Sequence, residues 1–284
     1  MEPHKPQPFD NSWAARANRA TNLKADRPHA DSLLTFYLEL IKVQEQIADS
    51  IGAAGLVPTD ADAASQAVSL TVLVPDRLSD HLAEFVSLIS RFAPSVLKEI
   101  GDRLSASPGA LPELLATYLN RQPLNTIADT FHCAVEPLEF FPRAFVQPLA
   151  ERLAAPAPLD RQADDRSCPY CARLPQVAII RDEVELKGRR LLVCSLCSTL
   201  WPVTRATCPN CWEVDPDKLF FYESDSLPNV RVEKCDACHT YIKSVDLRKD
   251  GKAHPIVDDI ASVELDLWCD EQSLRKIQRN VLGL

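Results

Sequence analysis

Residues 190–201 read RLLVCSLCSTLW, an apolar run that leads into two cysteines separated by two residues. Residues 230–243 read VRVEKCDACHTYIK and repeat the arrangement. Short runs of β-branched and aliphatic residues between turn residues predict β-strands. We therefore expect each of these cysteine pairs to occupy a tight turn at the end of a strand, where both sulfurs can point at one metal ion.

Eight of the ten cysteines form four such pairs, and the pairs repeat along the chain. Cys168 and Cys208 lie 40 residues apart, and Cys194 and Cys235 lie 41 residues apart. Self-similarity at a fixed spacing indicates an internal duplication. The pattern predicts two metal-binding units, residues 168–206 and 207–250, each built on a β-hairpin with strands at 177–180, 190–193, 219–222 and 230–232.

Two Cys-x2-Cys turns supply four thiolates at the corners of a tetrahedron, which suits zinc or the iron of a rubredoxin-like site. The spacing leaves iron and zinc open. The duplication favours one ion per repeat. A nested arrangement, in which 194/197 joins 208/211 and 168/171 joins 235/238, would also give two four-cysteine sites. The predicted ligands of the two tetrathiolate ions are Cys168, Cys171, Cys194 and Cys197 for the first, and Cys208, Cys211, Cys235 and Cys238 for the second. Such closed sites keep no open coordination position, and no catalytic constellation stands out, so the chain is not expected to be an enzyme.

Other uses of these cysteines fit the sequence less well. A reducing compartment disfavours disulfides. The CPYC of residues 168–171 is also a glutaredoxin motif, but no strand leads into it and no helix follows, as a thioredoxin-like dithiol enzyme requires. Cys133 and Cys269 are expected in the core, since free cysteine is often a small buried apolar residue, and His239 is expected at the surface.

The predicted fold class is α+β. Residues 1–155 show helical spacing of apolar residues and predict an irregular helical bundle, with helices near 31–51, 76–92, 94–104, 111–121, 124–133 and 137–153. Pro142 and Pro148 should kink or split the last of these. Residues 69–74 read as a short extended link, 156–167 as a linker, and 251–284 as a C-terminal helical tail that packs back.

Charge and composition exclude several functions. The chain has 284 residues, 31 basic and 40 acidic side chains and a net charge of −9, which argues against a nucleic-acid partner. Lys187, Arg189 and Arg190 cluster, but a solvated hairpin edge explains them. No apolar stretch is long enough for a membrane span or a secretion signal, so a cytoplasmic location is expected.

At the cysteine pairs the chain resembles the FdhE family of formate dehydrogenase accessory proteins. The resemblance rests on CPYC at 168–171, RLLVCSLCSTLW at 190–201, Arg205 leading into CPNC at 208–211, CDACHTYIK at 235–243, VDDIAS at 257–262, and Leu265-Asp266. The N-terminal half agrees more loosely, through Arg16, Arg19 and residues 37–46. Family members tend to have glycine where this chain has Ala172 and His239, so the geometry of those two turns should differ slightly.

The resemblance implies a cytoplasmic accessory protein needed for maturation or activation of respiratory formate dehydrogenase, which binds the catalytic subunit of that enzyme. Arg205, Tyr241 and Lys243 lie beside cysteine turns and are either presented to the partner or packed locally, with Lys243 in solvent. Asp258 and Asp259 form a candidate acidic site, with a helix cap as the alternative. A zinc-ribbon nucleic-acid or protein-interaction module unrelated to formate dehydrogenase is the competing interpretation.

Overall fold

A computed structural model describes residues 10–57, 69–155, 166–184 and 186–284. The chain forms two compact units, here called the helical unit (residues 36–157 and 281–283) and the sheet unit (residues 1–35, 158–280 and 284). Helices followed by a sheet confirm the predicted α+β class. The predicted domain boundaries stay predictions, and the predicted linker 156–167 lies outside the described residues except for its last two.

The helical unit contains most of α2 and all of five further helices, close to where apolar spacing predicts them. Their bounds are α2 Asp31–Ala53, α3 Pro75–Ile89, α4 Ser95–Ala106, α5 Ala110–Leu119, α6 Asn125–Thr130 and α7 Val135–Ala154. Their apolar faces form the core, where the rings of Phe85 and Phe145 meet edge to face at 5.8 Å between centroids. Residues 69–74, predicted to be extended, instead contain a 3₁₀ turn at Leu70–Val72.

The prolines of α7 do not split it into two helices, because the surrounding core compensates. Proline at position 148 leaves the carbonyl of Ala144 without its helical N–H donor. The buried side chain of Gln44 donates to that carbonyl from Nε2 at 2.7 Å. Most of α7 is buried, and the helix is continuous through Pro142 and Pro148.

The sheet unit is built on one seven-stranded sheet. The strands are β1 Pro175–Arg181, β2 Arg189–Cys194, β3 Leu200–Pro202, β4 Leu219–Glu223, β5 Val230–Cys235, β6 Thr240–Asp246 and β7 Arg275–Lys276. Their order is β3-β2-β1-β6-β5-β4, with β7 beside the start of β6. The first three strands and the next three follow the same up-and-down path, as the duplication requires. The two predicted metal-binding units therefore share one sheet, joined where β1 and β6 run parallel.

The two faces of this sheet are covered differently. Residues Val177, Ile179, Val193, Val230 and Val245 lie on what we call the helix face, within a buried apolar cluster. The C-terminal helices α8 Pro255–Ala261 and α9 Val263–Glu271 belong to this unit, and α8 packs against β1 and β6. We call the opposite side, with Arg190, Glu233 and Ile242, the loop face.

The ends of the chain add two elements that apolar spacing does not predict. Helix α1, Trp13–Asp26, packs against α8 within the sheet unit. The predicted helical tail ends earlier than expected, and its last part forms β7, which pairs with Thr240 and Tyr241 of β6. None of the helices in the described ranges is long and apolar enough to cross a membrane.

Candidate metal centres

The first cysteine group converges on one point. The sulfurs of Cys168 and Cys197 lie 3.5 Å apart, those of Cys171 and Cys194 lie 3.3 Å apart, and all four lie within 4.8 Å of one another. Three of the four side chains are buried, and Cys171 is half-buried. The turn before β1 carries one pair and the turn after β2 carries the other.

The second group repeats this arrangement in the second half of the duplication. The sulfurs of Cys208 and Cys238 lie 3.8 Å apart, and those of Cys211 and Cys235 lie 3.7 Å apart. The four atoms again lie within 4.8 Å of one another. The cysteines are thus grouped sequentially, one group per repeat, and not in the nested arrangement.

The sulfur spacing fits a tetrathiolate ion. A metal–sulfur bond of about 2.3 Å gives a tetrahedron whose edges are about 3.8 Å long. The second group has this size, and the first is tighter by a few tenths of an ångström. Four thiols and no other donor make up each group, a set that suits zinc or iron and does not distinguish them. The residues present therefore fit the predicted ions.

Each cysteine turn also aims hydrogen-bond donors at its sulfurs. The backbone N–H groups of Tyr170, Leu196 and Asn210 each lie 3.4 Å from the sulfur two residues earlier. The hydroxyls of Thr199 and Thr240 lie 3.1 and 3.0 Å from the sulfurs of Cys197 and Cys238. Donors in these positions stabilise thiolates and therefore favour ligation.

A left-handed residue follows the second cysteine of every pair. The φ angles of these four residues lie between 52° and 64°, at Ala172, Ser198, Trp212 and His239. The left-handed residue turns the chain back, so that the carbonyl of Arg173 accepts from the N–H of Cys168 at 2.8 Å. Non-glycine residues hold this conformation in all four turns, and the predicted difference from turns with glycine at positions 172 and 239 stays a prediction.

Burial and hydrogen bonding act in opposite directions on the thiols. Burial raises the pKa of Cys194 and of Cys197 well above the ordinary value. Burial also opposes ionisation of Cys238, but hydrogen bonds from Asn210 and Thr240 lower its pKa to about 6. Metal ligation requires thiolates, so a bound cation is what would compensate several negative charges gathered in a buried site.

Lys243 and Tyr241 are buried beneath α8 and α9. The predictions that Lys243 lies in solvent and that these two side chains are presented to a partner are therefore wrong. The Lys243 ammonium is fully buried and lies 2.6 Å from Asp266 and 3.1 Å from Asp259. Lys276 contacts the same two carboxylates at 3.2 and 2.7 Å, and the Tyr241 hydroxyl donates to Asp266 at 2.8 Å. We call these five residues the buried charge cluster.

This cluster is electrically balanced, with two lysines facing two aspartates. Burial opposes ionisation of Asp259, but Lys243 and Lys276 hold its pKa below the ordinary value. Burial likewise opposes the charge on Lys243, but the two carboxylates raise its pKa. The cluster therefore ties the tail to β6, and removal of one member would leave an uncompensated charge.

The acidic pair 258–259 is part of the same support. Asp258 lies inside α8 and is not its N-cap residue, which is His254, so the helix-cap alternative is wrong as stated. Its carboxylate instead accepts from the backbone N–H of His254. It also accepts from Arg19 of α1 at 2.6 and 2.8 Å and from Asn229 at 2.8 Å. Asp258 thus joins α1, α8 and the turn before β5.

The remaining predicted residues pair locally. Arg205 donates to the carbonyls of Gly188 and Lys187. In the basic cluster, Lys187 pairs with Asp182, and Arg189 pairs with Glu183. His239 is exposed, Cys269 is buried and Cys133 is half-buried.

Sequence reasoning missed Asp266 and Lys276, which complete the buried charge cluster, and Glu233 of β5. On the loop face, the Glu233 carboxylate forms ion pairs with the guanidinium groups of Arg190, at 2.6 Å, and Arg231, at 2.7 Å. A lysine that directly follows apolar residues in a strand, as Lys243 follows Tyr241 and Ile242, is the signal that a buried partner exists. It does not say which acidic residue that partner is.

Comparison with known proteins places these features in one family. Residues 167–205 match the family described as FdhE, central domain, and residues 203–282 match FdhE, C-terminal domain. Together the two matches contain all eight paired cysteines. An FdhE homolog from Aquifex aeolicus (strain VF5) is 29% identical over 274 residues, which cover 94% of this chain and 93% of that protein.

Two further matches agree. An FdhE homolog from Pasteurella multocida (strain Pm70) is 36% identical over 110 residues, 38% of this chain and 35% of that protein. The crystal structure of the FdhE protein from Pseudomonas aeruginosa has a TM-score of 0.71 and 22% identity, with 98% of each chain covered, and shows a shared fold. The domain matches, the near full-length relative and the shared fold together support assignment of the chain to the FdhE family.

Proposed function

We propose that the chain is an accessory protein for the maturation or activation of respiratory formate dehydrogenase and that it acts in the cytoplasm without catalytic activity of its own. The observation that carries this proposal is the FdhE match over residues 167–282, which spans both cysteine groups and the buried charge cluster.

We further propose that the eight paired cysteines bind two metal ions, one in each group. The convergence of the sulfurs and the donors aimed at them support this. A bound ion would supply a rigid cross-link between two turns and, if it is iron, a one-electron redox centre. The chain's own contribution is to hold four thiolates at tetrahedral spacing.

The proposed partner is the catalytic subunit of formate dehydrogenase. Both cysteine groups precede a strand of the parallel pair, since Cys171 leads into β1 and Cys238 leads into β6. Because parallel strands start at the same end of a sheet, both centres lie at the end where β1 and β6 begin. This supports a single docking surface organised by the two metal centres.

The functional test uses a strain that lacks the gene. We expect formate oxidation to be lost while an immunoblot still detects the catalytic subunit polypeptide. The wild-type chain and Cys133→Ser, whose sulfur lies in neither group, should restore activity, whereas Cys194→Ser should not. The tagged wild-type chain should also retain the catalytic subunit under reducing conditions. Full activity in the deletion strain, with no complex formed, would refute the accessory role.

The metal test is separate. The purified chain should contain two equivalents of metal by elemental analysis. An absorption spectrum then identifies the ion, because ferric tetrathiolate is red and zinc is colourless. A chain that takes up neither iron nor zinc after reduction would refute metal binding and leave the accessory role to be judged by the first test.

A further inference from the structure

Strand β4 is an edge of the sheet that carries exposed aromatic side chains. Among the described strands it pairs only with β5. Phe220, Phe221 and Tyr222 are 40%, 64% and 39% exposed. The other edge strand, β3, buries its Leu200 and Trp201. An apolar, unpaired edge strand is the feature to which a strand of another chain adds.

The backbone of β4 offers hydrogen-bonding groups in a defined order. The N–H of Asp236, just after β5, donates to the carbonyl of Lys218 at 2.9 Å, so that carbonyl points towards β5. Because successive carbonyls of a strand point to opposite edges, those of Leu219, Phe221 and Glu223 point away from β5. Their N–H groups point the same way, ready to pair with an added strand.

A cavity lies beside this edge on the loop face. Its volume is about 280 Å³, and its apolar walls include Leu219, Phe221 and Ile242. Its charged lining residues are four cations, Arg190, Arg205, Arg231 and Lys234, and one carboxylate, Glu233. Arg190 and Arg231 both pair with Glu233, and Lys234 pairs with Asp236. An added strand would place every second side chain on this face, next to Phe221, so the cavity is suited to an apolar side chain.

The segment that contains β4 is acidic. Residues 213–225 carry five carboxylates and a single basic residue, Lys218. The carboxylates flank the aromatic triplet on both sides. Two copies of this chain would bring equal negative charges together, which disfavours pairing of β4 with itself. A partner whose apolar residues are flanked by lysine or arginine is complementary in charge.

We propose that β4 binds an extended segment of a partner protein by strand addition, and that this segment carries apolar residues flanked by basic ones. The added backbone pairs with Leu219, Phe221 and Glu223, and one apolar side chain enters the cavity. This inference goes beyond the proposed function, because it holds whether or not the partner is a subunit of formate dehydrogenase.

The test uses the full metal-loaded chain and a fluorophore-labelled synthetic peptide, RKVFVFVKR. Fluorescence anisotropy should show saturable binding, and the acidic peptide EEVFVFVEE should bind at least about tenfold more weakly at low salt. Amide hydrogen exchange should slow at residues 219, 221 and 223 when the basic peptide binds. No saturable binding, or equal binding of both peptides, would overturn the proposal.

Two matched pairs separate backbone pairing from side-chain contact. Phe221→Pro removes an N–H that faces away from β5, whereas Phe221→Ala keeps it. The proline variant should bind the peptide about tenfold more weakly than the alanine variant. A second pair of probes does not depend on folding of a protein variant. In RKVFVFVKR, every second backbone N–H would face β4 and the others would face away. The peptide N-methylated at the positions that face β4 should fail to bind, and the isomer N-methylated at the other positions should bind.

Equal affinity of the two protein variants, or of the two methylated isomers, would overturn strand addition. Analytical ultracentrifugation of the chain, with and without the basic peptide, tests whether a second copy of the chain occupies β4. A dimer that the peptide dissociates would show that a second copy of the chain is the occupant of β4, and would also overturn the proposal.

Discussion

Replacement of Ala172 by glycine should stabilise the first cysteine turn. Ala172 holds a φ of 56°, in the left-handed region, and its side chain is exposed. A non-glycine residue in this region costs roughly 1–2 kcal/mol. Glycine removes that strain, but the greater freedom it gives the unfolded chain costs about 0.4–1 kcal/mol. The net expectation is a gain of about 0.5–1 kcal/mol, since no buried contact is lost.

The matched control is Ala237→Gly in the fourth turn. Ala237 is also exposed and lies between the cysteines of a pair, but its φ is not positive. Glycine there relieves no strain and should lower the free energy of unfolding by about 0.5–1 kcal/mol. His239→Gly, at a φ of 52°, should behave like Ala172→Gly.

The assay is urea unfolding of the metal-loaded sheet unit within the full chain, followed by competition with a chelator. Ala172→Gly should raise the urea midpoint at constant slope. Because ligation requires the folded turn, the chelator concentration for half removal should rise about two- to fivefold. If Ala172→Gly lowers the midpoint as much as Ala237→Gly does, left-handed strain does not limit the stability of these turns.

Three further results are expected. Cys194→Ser should lose one metal equivalent by elemental analysis, whereas Cys133→Ser should keep both, and retention of two ions by Cys194→Ser would contradict the first centre. Lys243→Met should lower the free energy of unfolding in urea by about 3–5 kcal/mol, because two buried carboxylates then share one lysine, and a loss below about 1 kcal/mol would contradict the balanced cluster. Burial and the neighbouring Arg16 cation lower the pKa of His254 to about 3, so the unfolded chain takes up a proton below about pH 6.5 while the folded chain does not. Stability is therefore lost as the pH falls, and between pH 7 and pH 5 the wild type should lose about 2 kcal/mol more than His254→Asn in parallel urea titrations.

The strands beside the cysteine turns could be predicted well because their signals are local. Four apolar runs predicted strands within three residues of the ends of β1, β2, β4 and β5. Strand β6 was missed, since Lys243 and Ser244 break its apolar pattern. That strand is buried on both faces, and its lysine is tolerated only because α8 and α9 bring two aspartates to it.

The helices show the same division between local and distant causes. Apolar spacing placed α2 to α7 closely, but α7 is not split at its prolines, and a donor from Gln44, about a hundred residues away, satisfies the carbonyl that Pro148 leaves free. Helix α1 has only two large apolar residues, Trp13 and Leu23, and apolar spacing did not predict it. Its contact with α8 includes the ion pair from Arg19 to Asp258. Side chains far apart in sequence contact each other in both cases.

By itself, the sequence determined that eight cysteines stand in four tight turns, that the turns belong to a duplicated unit, and that four thiols would meet at each of two points. Two residues between cysteines and a repeat of about 40 residues carry that information locally. Only the tertiary structure decided that the repeats join through parallel β1 and β6 into one sheet and that Tyr241 and Lys243 are buried. It also left the aromatic strand β4 at an edge. These features depend on which surfaces pack together and which buried charges find partners, and such long-range pairings leave no periodic mark in a single sequence.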